Sequence, residues 1–214
     1  MFTTTEVLKS KTFNIYQLSV SDHLDRLSEY MIPLEQRQAL RTYRLKHDRD
    51  KRILSRAFLY HYVDQYYHVK KFTLQYNDYQ RPFLKYFPDL SFSFSYAGDY
   101  VLVGVSDSKK IGVDIEQINK HLNVNELASA IMHPEELAYY TSLLTWEKRL
   151  HFFFDIFNAK EALIKTIGKG LYEDVRYLNL VTLKKNVYTH KGLNYYMFDF
   201  NGLKGFKRRG CQLI

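Results

Sequence analysis

The chain has 214 residues, of which 46% are hydrophobic, and its 31 Lys and Arg exceed its 23 Asp and Glu by eight charges. This composition excludes a wholly disordered chain and provides enough length for a substantial core. The single cysteine, Cys211, excludes an internal disulfide and a cysteine-based zinc site. The basic balance favours an anionic partner, which could be a nucleic acid, a phosphate ligand, a membrane surface or an acidic protein.

No secretory signal is evident at the start of the chain, and no apolar run approaches the roughly 20 residues that span a bilayer. We therefore expect a soluble cytoplasmic protein that does not enter a membrane.

The first half of the chain alternates strand and helix patterns. The elements that it predicts are a strand at 12–20, helices at 22–31 and 34–67 (the second broken near 47–48), a strand at 72–76, and a hairpin of 90–96 with 100–106.

A polar connector, Asp107 to Lys110, lies almost at the midpoint and suggests a boundary between residues 1–108 and 109–214. Pro134 suits the first turn of a helix, and Gly168 suits a helix stop. The second half predicts a strand at 111–117, helices at 124–131, 134–144 and 146–167, strands at 176–183, 185–190 and 193–200, and a basic last segment.

The strand Gly112-Val113-Asp114-Ile115-Glu116 carries two acids on one face, because residues two apart in a strand point the same way. Taken alone, such a pair is usually two solvated acids on an edge strand. Gly112 inside a strand, however, often marks close approach by a ligand or another backbone.

The helix that follows carries Phe157, Glu161 and Lys165 four residues apart, on one stripe. Taken alone, Glu161 and Lys165 form an ordinary surface ion pair. The flanking residues are apolar around most of the helix, however, which predicts burial and hence a need for charged partners. If this helix neighbours the acidic strand, three carboxylates and one ammonium group converge, an arrangement suited to Mg²⁺ and phosphate oxygens.

Four motifs in one order resemble the 4′-phosphopantetheinyl transferases of the Sfp-like, surfactin-synthetase-activating type. They are Gln80-Arg81-Pro82, the stretch from Phe92 to Tyr100, the acidic strand, and the helix Phe157 to Lys165 with its stop Gly168-Lys169-Gly170-Leu171. The chain departs from the family pattern at five positions: Gln80 replaces Gly, Ser93 replaces Asn, Tyr96 replaces His, Ala97 replaces Ser or Thr, and Phe157 replaces Trp.

The resemblance implies an α+β fold of two similar α+β halves, packed side by side with the active site in the cleft between them. It also implies Mg²⁺-dependent transfer of the 4′-phosphopantetheine group from coenzyme A to a serine of an acidic acyl or peptidyl carrier protein, by a monomer. Asp114, Glu116 and Glu161 would then hold the metal. Asp114, Glu161 and Lys165 would be catalytic, with Glu161 as the general base.

The same resemblance assigns coenzyme contacts. Lys160 and Lys165 would contact phosphates, Arg49 or Arg52 would contact the 3′-phosphate, and Arg81 would contact the nucleotide. Ser95 and Tyr96 would end the phosphate-binding strand, the Tyr96 hydroxyl donating where the family has His.

Several simpler interpretations stay open. Phe157 is expected as a core wedge, and Lys160 could equally be a lysine that reaches the surface. The chain as a whole could be an inactive family member or a basic module that stacks RNA bases on its tyrosines. The arginines cluster with carboxylates and no strand interleaves aromatic and basic residues, which argues against nucleic acid.

Overall fold

Two four-stranded antiparallel sheets and a two-stranded one form the β structure of the described part of the chain. The computed structural model describes residues 2–70, 72–170, 174–183, 186–200 and 202–214. The mixture of helices with antiparallel sheets confirms the predicted α+β class.

The first large sheet belongs to the first half of the chain. The helices and strands of this half are, in chain order, β1 (Thr5–Lys9), β2 (Phe13–Ser19), α1 (Leu34–Leu40), α2 (Lys46–Tyr67), β3 (Leu74–Tyr76), β4 (Pro82–Leu84), β5 (Ser91–Ala97) and β6 (Tyr100–Ser106). The strand order is β1-β2-β6-β5, and β3 and β4 form the two-stranded sheet. The buried side chains of α2, among them Leu54 and Phe58, pack against the valines of β6 to form a core.

The second large sheet follows the polar connector. The elements here are β7 (Ile111–Gln117), α3 (Val124–Ile131), α4 (Pro134–Ser142), α5 (Trp146–Ile167), β8 (Val187–His190), β9 (Leu193–Asp199) and β10 (Phe206–Leu213), with strand order β7-β10-β9-β8. The side chain of Thr145 caps the start of α5, and Gly168 ends it with a φ of 80°, a value that favours glycine. Pro134 begins α4, as predicted.

Three serines of β5 join the two large sheets. The hydroxyls of Ser91, Ser93 and Ser95 accept hydrogen bonds from the backbone N–H groups of Ile111, Val113 and Ile115 at 3.1, 3.1 and 3.2 Å. Alternate residues of a strand share a face, so one edge of β5 presents all three hydroxyls to β7. We call these six residues the serine seam.

Two predicted elements are wrong. The helix expected at 22–31 is replaced by two 3-10 turns, Ser21–His23 and Glu29–Met31. The strand expected at 176–183 is also a pair of 3-10 turns, Val175–Tyr177 and Leu180–Thr182. There the side chains of Asp174 and Asn179 accept hydrogen bonds from nearby backbone N–H groups, which favours turns over a sheet ladder.

The other boundaries differ by a few residues. The break in the long helical segment lies at 41–45 instead of 47–48, and β1 was not predicted. The boundary after Ser108 and the similarity of the two halves stay predictions. Within the described residues, no helix has the length and apolar character to cross a membrane.

Candidate active site

Asp114 is the centre of a buried hydrogen-bond cluster at the junction of the two sheets. Its side chain is only 3% exposed. Its Oδ1 accepts from Lys165 Nζ at 2.6 Å and from Ser95 Oγ at 2.8 Å, and its Oδ2 accepts from Asn158 Nδ2 at 2.7 Å. Three donors from two elements therefore compensate the cost of burying this carboxylate.

Gly112 explains why the acidic strand meets the acidic helix. A Cβ at this position would lie 2.2 Å from the Ala162 carbonyl oxygen and 2.6 Å from Thr166 Oγ1. Only glycine therefore lets β7 pack directly on α5. The sequence predicted a close approach here, and the partner is the helix backbone.

Glu116 and Glu161 lie in the electrostatic field of Asp114 and Lys165. Burial, followed by the negative charge of Asp114, raises the pKa of Glu116 to about 8. Burial also raises the pKa of Glu161, where Asp114 adds to the effect and Lys165 opposes it. The three acids and the ammonium group therefore share one neighbourhood, as the strand and helix motifs suggested, but their roles stay predictions.

The donor set is chemically suited to a small divalent cation. Mg²⁺ binds one or two carboxylates together with phosphate oxygens and water. Burial raises the pKa of Glu116 and of Glu161 although Lys165 lies near both, so a cation that bound between them would favour their charged forms. Within the described ranges, however, no three His, Cys, Asp or Glu side chains are already arranged to hold a metal ion. The Lys165 ammonium is instead the cation beside Asp114.

A cavity of about 1000 Å³ opens beside this cluster. Glu161 and Lys165 form part of its wall, and four arginines add positive charge. The basic lining side chains are Arg52, Arg56, Arg81, Lys165 and Arg176, and apolar lining residues include Ala130, Ile131, Phe157, Ile164 and Val175. A volume of this size is typical of a small-molecule site, and the wall mixes apolar side chains with charged and polar ones.

Of the two arginines expected at the 3′-phosphate, Arg52 lines the cavity. Arg49 is not part of this lining, although Arg56, one helical turn beyond Arg52, is. Tyr96 also lines the cavity, with its hydroxyl 2.8 Å from Ser55 Oγ.

Arg81 lines the cavity and also ties three elements together. Its guanidinium donates to the Thr166 carbonyl at 3.0 Å, to Ser91 Oγ at 3.0 Å and to the Ile111 carbonyl at 3.3 Å. Burial lowers its pKa. Arg81 is therefore a structural link between β5, β7 and α5 as well as a candidate for nucleotide contact.

Lys160 does not have the surroundings expected of a phosphate contact. It is fully buried, pairs with Glu136 Oε2 at 2.6 Å, and donates to the carbonyls of Ile131 and Val175 at 2.8 and 3.0 Å. The ammonium has three donors and all three are used. The expected phosphate contact and the surface alternative are both corrected. Lys160 is a buried residue whose ammonium group bonds the backbone of two cavity-lining residues, Ile131 and Val175.

Ser95 is also committed within the protein. Its hydroxyl donates to Asp114 and accepts from the Ile115 N–H and from Lys165 Nζ. A single hydroxyl that is 5% exposed has little left for a coenzyme. The expected coenzyme contact is therefore replaced by a positioning role toward Asp114.

A family model, described as the 4′-phosphopantetheinyl transferase superfamily, matches residues 110–204. The chain is 28% identical to the 4′-phosphopantetheinyl transferase Sfp of Bacillus subtilis (strain 168) over 168 residues, 75% of this chain and 71% of that protein. The chain is thus similar to the Sfp-type 4′-phosphopantetheinyl transferases over most of its length. The transferase ffp of Bacillus subtilis is 28% identical over 70% of this chain and 66% of its own length, and psf-1 of Bacillus pumilus is 28% identical over 65% and 59%.

These alignments span about two thirds of the relatives' lengths. Sequence reasoning missed Asn158, which donates a hydrogen bond to Asp114, and Arg56, which lines the cavity. Asn158 lies next to Phe157 in the helix motif and could have been suspected as a buried polar residue on an apolar helix. Phe157 was expected as a core wedge, but it stacks on Phe153 and also lines the cavity.

Proposed function

We propose that this chain transfers the 4′-phosphopantetheine group of coenzyme A to a serine hydroxyl of an apo carrier protein. The observation that carries the proposal is the meeting of Asp114, Glu116, Glu161 and Lys165 beside a cavity whose wall also bears arginines. The likeness to transferases that bear this activity in their names supports it.

The step forms a bond between the serine oxygen and the β-phosphorus and breaks the bond from that phosphorus to the bridging oxygen. Adenosine 3′,5′-bisphosphate leaves, and the serine proton passes to Glu161, directly or through a water. The raised pKa of Glu161 makes this carboxylate a better proton acceptor than an ordinary one. Lys165, which lines the cavity, neutralises charge on the pyrophosphate.

Asp114, Glu116 and Glu161 would hold Mg²⁺. The bound ion would neutralise charge on the pyrophosphate oxygens. Ser95 and Asn158 keep the Asp114 carboxylate in a fixed orientation through their hydrogen bonds. Lys165 now bonds Oδ1 of Asp114, so this bond would have to open for that oxygen to serve as a ligand.

The expected protein partner is an acidic acyl or peptidyl carrier protein, and we propose that the transferase acts as a cytoplasmic monomer. The net charge of +8 would accelerate encounter with an acidic partner, and more strongly at low salt.

The test is transfer of a labelled pantetheine group to apo carrier proteins in the presence of Mg²⁺. Glu161→Gln is expected to reduce turnover by roughly 10²–10⁴-fold, the usual contribution of a general base. Glu147→Gln changes an exposed residue in the first turn of the same helix and serves as the matched control. A parental rate in Glu161→Gln would remove Glu161 from the mechanism.

Binding and transfer assays on the same purified protein distinguish two alternative functions. Coenzyme A binding without transfer to any carrier protein would indicate an inactive relative. Salt-dependent RNA binding without a response to coenzyme A would indicate a nucleic-acid module.

A further inference from the structure

The guanidinium of Arg52 lies over an aromatic ring in the cavity wall. Its Cζ is 3.5 Å from the ring centroid of Tyr96 and 5.1 Å from that of Tyr43. Its Nε donates to the Tyr43 hydroxyl at 3.3 Å. Two aromatic rings therefore define where the charge of Arg52 sits, by cation–π attraction and stacking.

The hydroxyl of Tyr96 is used inside the protein. Ser55, which is fully buried, donates its single proton to the Arg52 carbonyl at 3.0 Å. In the 2.8 Å contact between Ser55 Oγ and the Tyr96 hydroxyl either oxygen can donate, and both Ser55 contacts are satisfied together when Tyr96 is the donor. Tyr96 consequently has no proton left for a phosphate oxygen.

Arg52, by contrast, keeps donors for a ligand. In the part of the chain that the structure describes, Nε has an acceptor in Tyr43, whereas neither terminal nitrogen donates a hydrogen bond. The planar terminal N–H groups form the fork that matches phosphate oxygens, and the residue lines the cavity.

We propose that Tyr96 is a positioning residue that acts through Arg52: its ring is the platform that aims the Arg52 guanidinium at an anionic phosphate group of the ligand. The identity of that ligand as coenzyme A rests on the proposed function. The expectation that the Tyr96 hydroxyl itself donates to phosphate is replaced by a contact from Arg52.

The test is a double-mutant cycle on coenzyme A binding by calorimetry. We expect Arg52→Gln and Tyr96→Leu each to weaken binding about tenfold or more. The combination Arg52→Gln with Tyr96→Leu should bind no more weakly than Arg52→Gln alone, because the platform has no function without its guanidinium. Tyr96→Phe keeps the ring and should bind within about threefold of the parent.

Tyr30→Leu is the matched control. Arg37 lies over the Tyr30 ring at 4.5 Å, an interaction of the same kind, and neither residue lines the cavity. Its coenzyme affinity should equal that of the parent. A melting temperature for each variant separates loss of binding from loss of fold.

Additive losses in the cycle, or a Tyr96→Phe variant as weak as Tyr96→Leu, would show a direct contact by Tyr96 and overturn the proposal. If Tyr96→Leu does not fold, Tyr96→Phe alone decides between ring and hydroxyl. Binding of coenzyme A without any transfer would overturn the proposed function but would not contradict the proposed role of the Tyr96 ring. If the parent does not bind coenzyme A, the same double-mutant cycle is measured with inorganic pyrophosphate as the ligand. Failure to bind pyrophosphate would overturn the proposed role of the Tyr96 ring as well.

Discussion

The ammonium group of Lys165 lies 2.6 Å from Oδ1 of Asp114, and Lys165 Nζ is also 3.2 Å from the Val113 carbonyl oxygen. The carboxylate is almost completely buried, whereas the lysine side chain is 29% exposed. Lys165 therefore compensates a buried negative charge and also reaches the cavity.

Replacing Lys165 by Met should lower the free energy of unfolding by about 1–3 kcal/mol, because Asp114 keeps two neutral donors but loses its cation. The measurement is urea unfolding at neutral pH in a buffer free of divalent ions. Lys148→Met alters an exposed residue of the same helix and should leave the stability unchanged. Equal stabilities for the two variants would contradict the role assigned to Lys165.

Replacing Lys160 by Met should destabilise the protein more strongly, by about 3–5 kcal/mol, because Glu136 is fully buried and would lose its counter-ion. Adding Glu136→Gln to this variant should recover part of the loss, since the uncompensated charge is then removed. Urea unfolding of both single variants and the double variant measures this coupling. Normal stability of Lys160→Met with weakened coenzyme binding would instead restore the phosphate contact that the resemblance implied.

Ser93→Ala should open the serine seam locally. The Val113 N–H is buried and would lose its acceptor, which costs about 1–3 kcal/mol. Hydrogen exchange of the Val113 amide should accelerate, while amides of β8 keep their rates. Ser129→Ala, on the exposed side of α3, is the control. An unchanged Val113 rate would mean that Ser93 is dispensable for the seam.

Cys211 should be chemically inert in the folded protein. Burial raises the pKa of its thiol to about 12. Because this value lies above the ordinary value for cysteine, the thiol stays protonated up to high pH, and the thiolate that attacks reagents is scarce at pH 8. Ellman's reagent should therefore react slowly with the native protein and rapidly in guanidinium chloride. Rapid reaction under native conditions would show an accessible thiol.

Much of the fold could be predicted because local patterns and tertiary packing agree. The strand at 111–117 and the helix at 146–167 have the bounds expected from their periodicity and their capping residues. Turns at 174–183 were missed because short apolar runs look alike in strands and turns, and the side chains of Asp174 and Asn179 decided the outcome.

For the candidate site, the sequence predicted which residues lie near one another but not which contacts each of them makes. Residue spacing placed Asp114, Glu161 and Lys165 on faces that could meet. It could not show which lysine of the helix faces the cavity, because Lys160 and Lys165 differ in tertiary partners, and Glu136 lies 24 positions from Lys160 in the sequence.

The missing side chain at Gly112 lets β7 approach α5 until its backbone meets the Ala162 carbonyl and Thr166. Ile131 and Val175 line the cavity, and their backbone carbonyls accept hydrogen bonds from Lys160, the neighbour of Glu161 on α5. An engineer could therefore reshape the cavity through the side chains at these two positions, provided that the backbone keeps its bonds to Lys160.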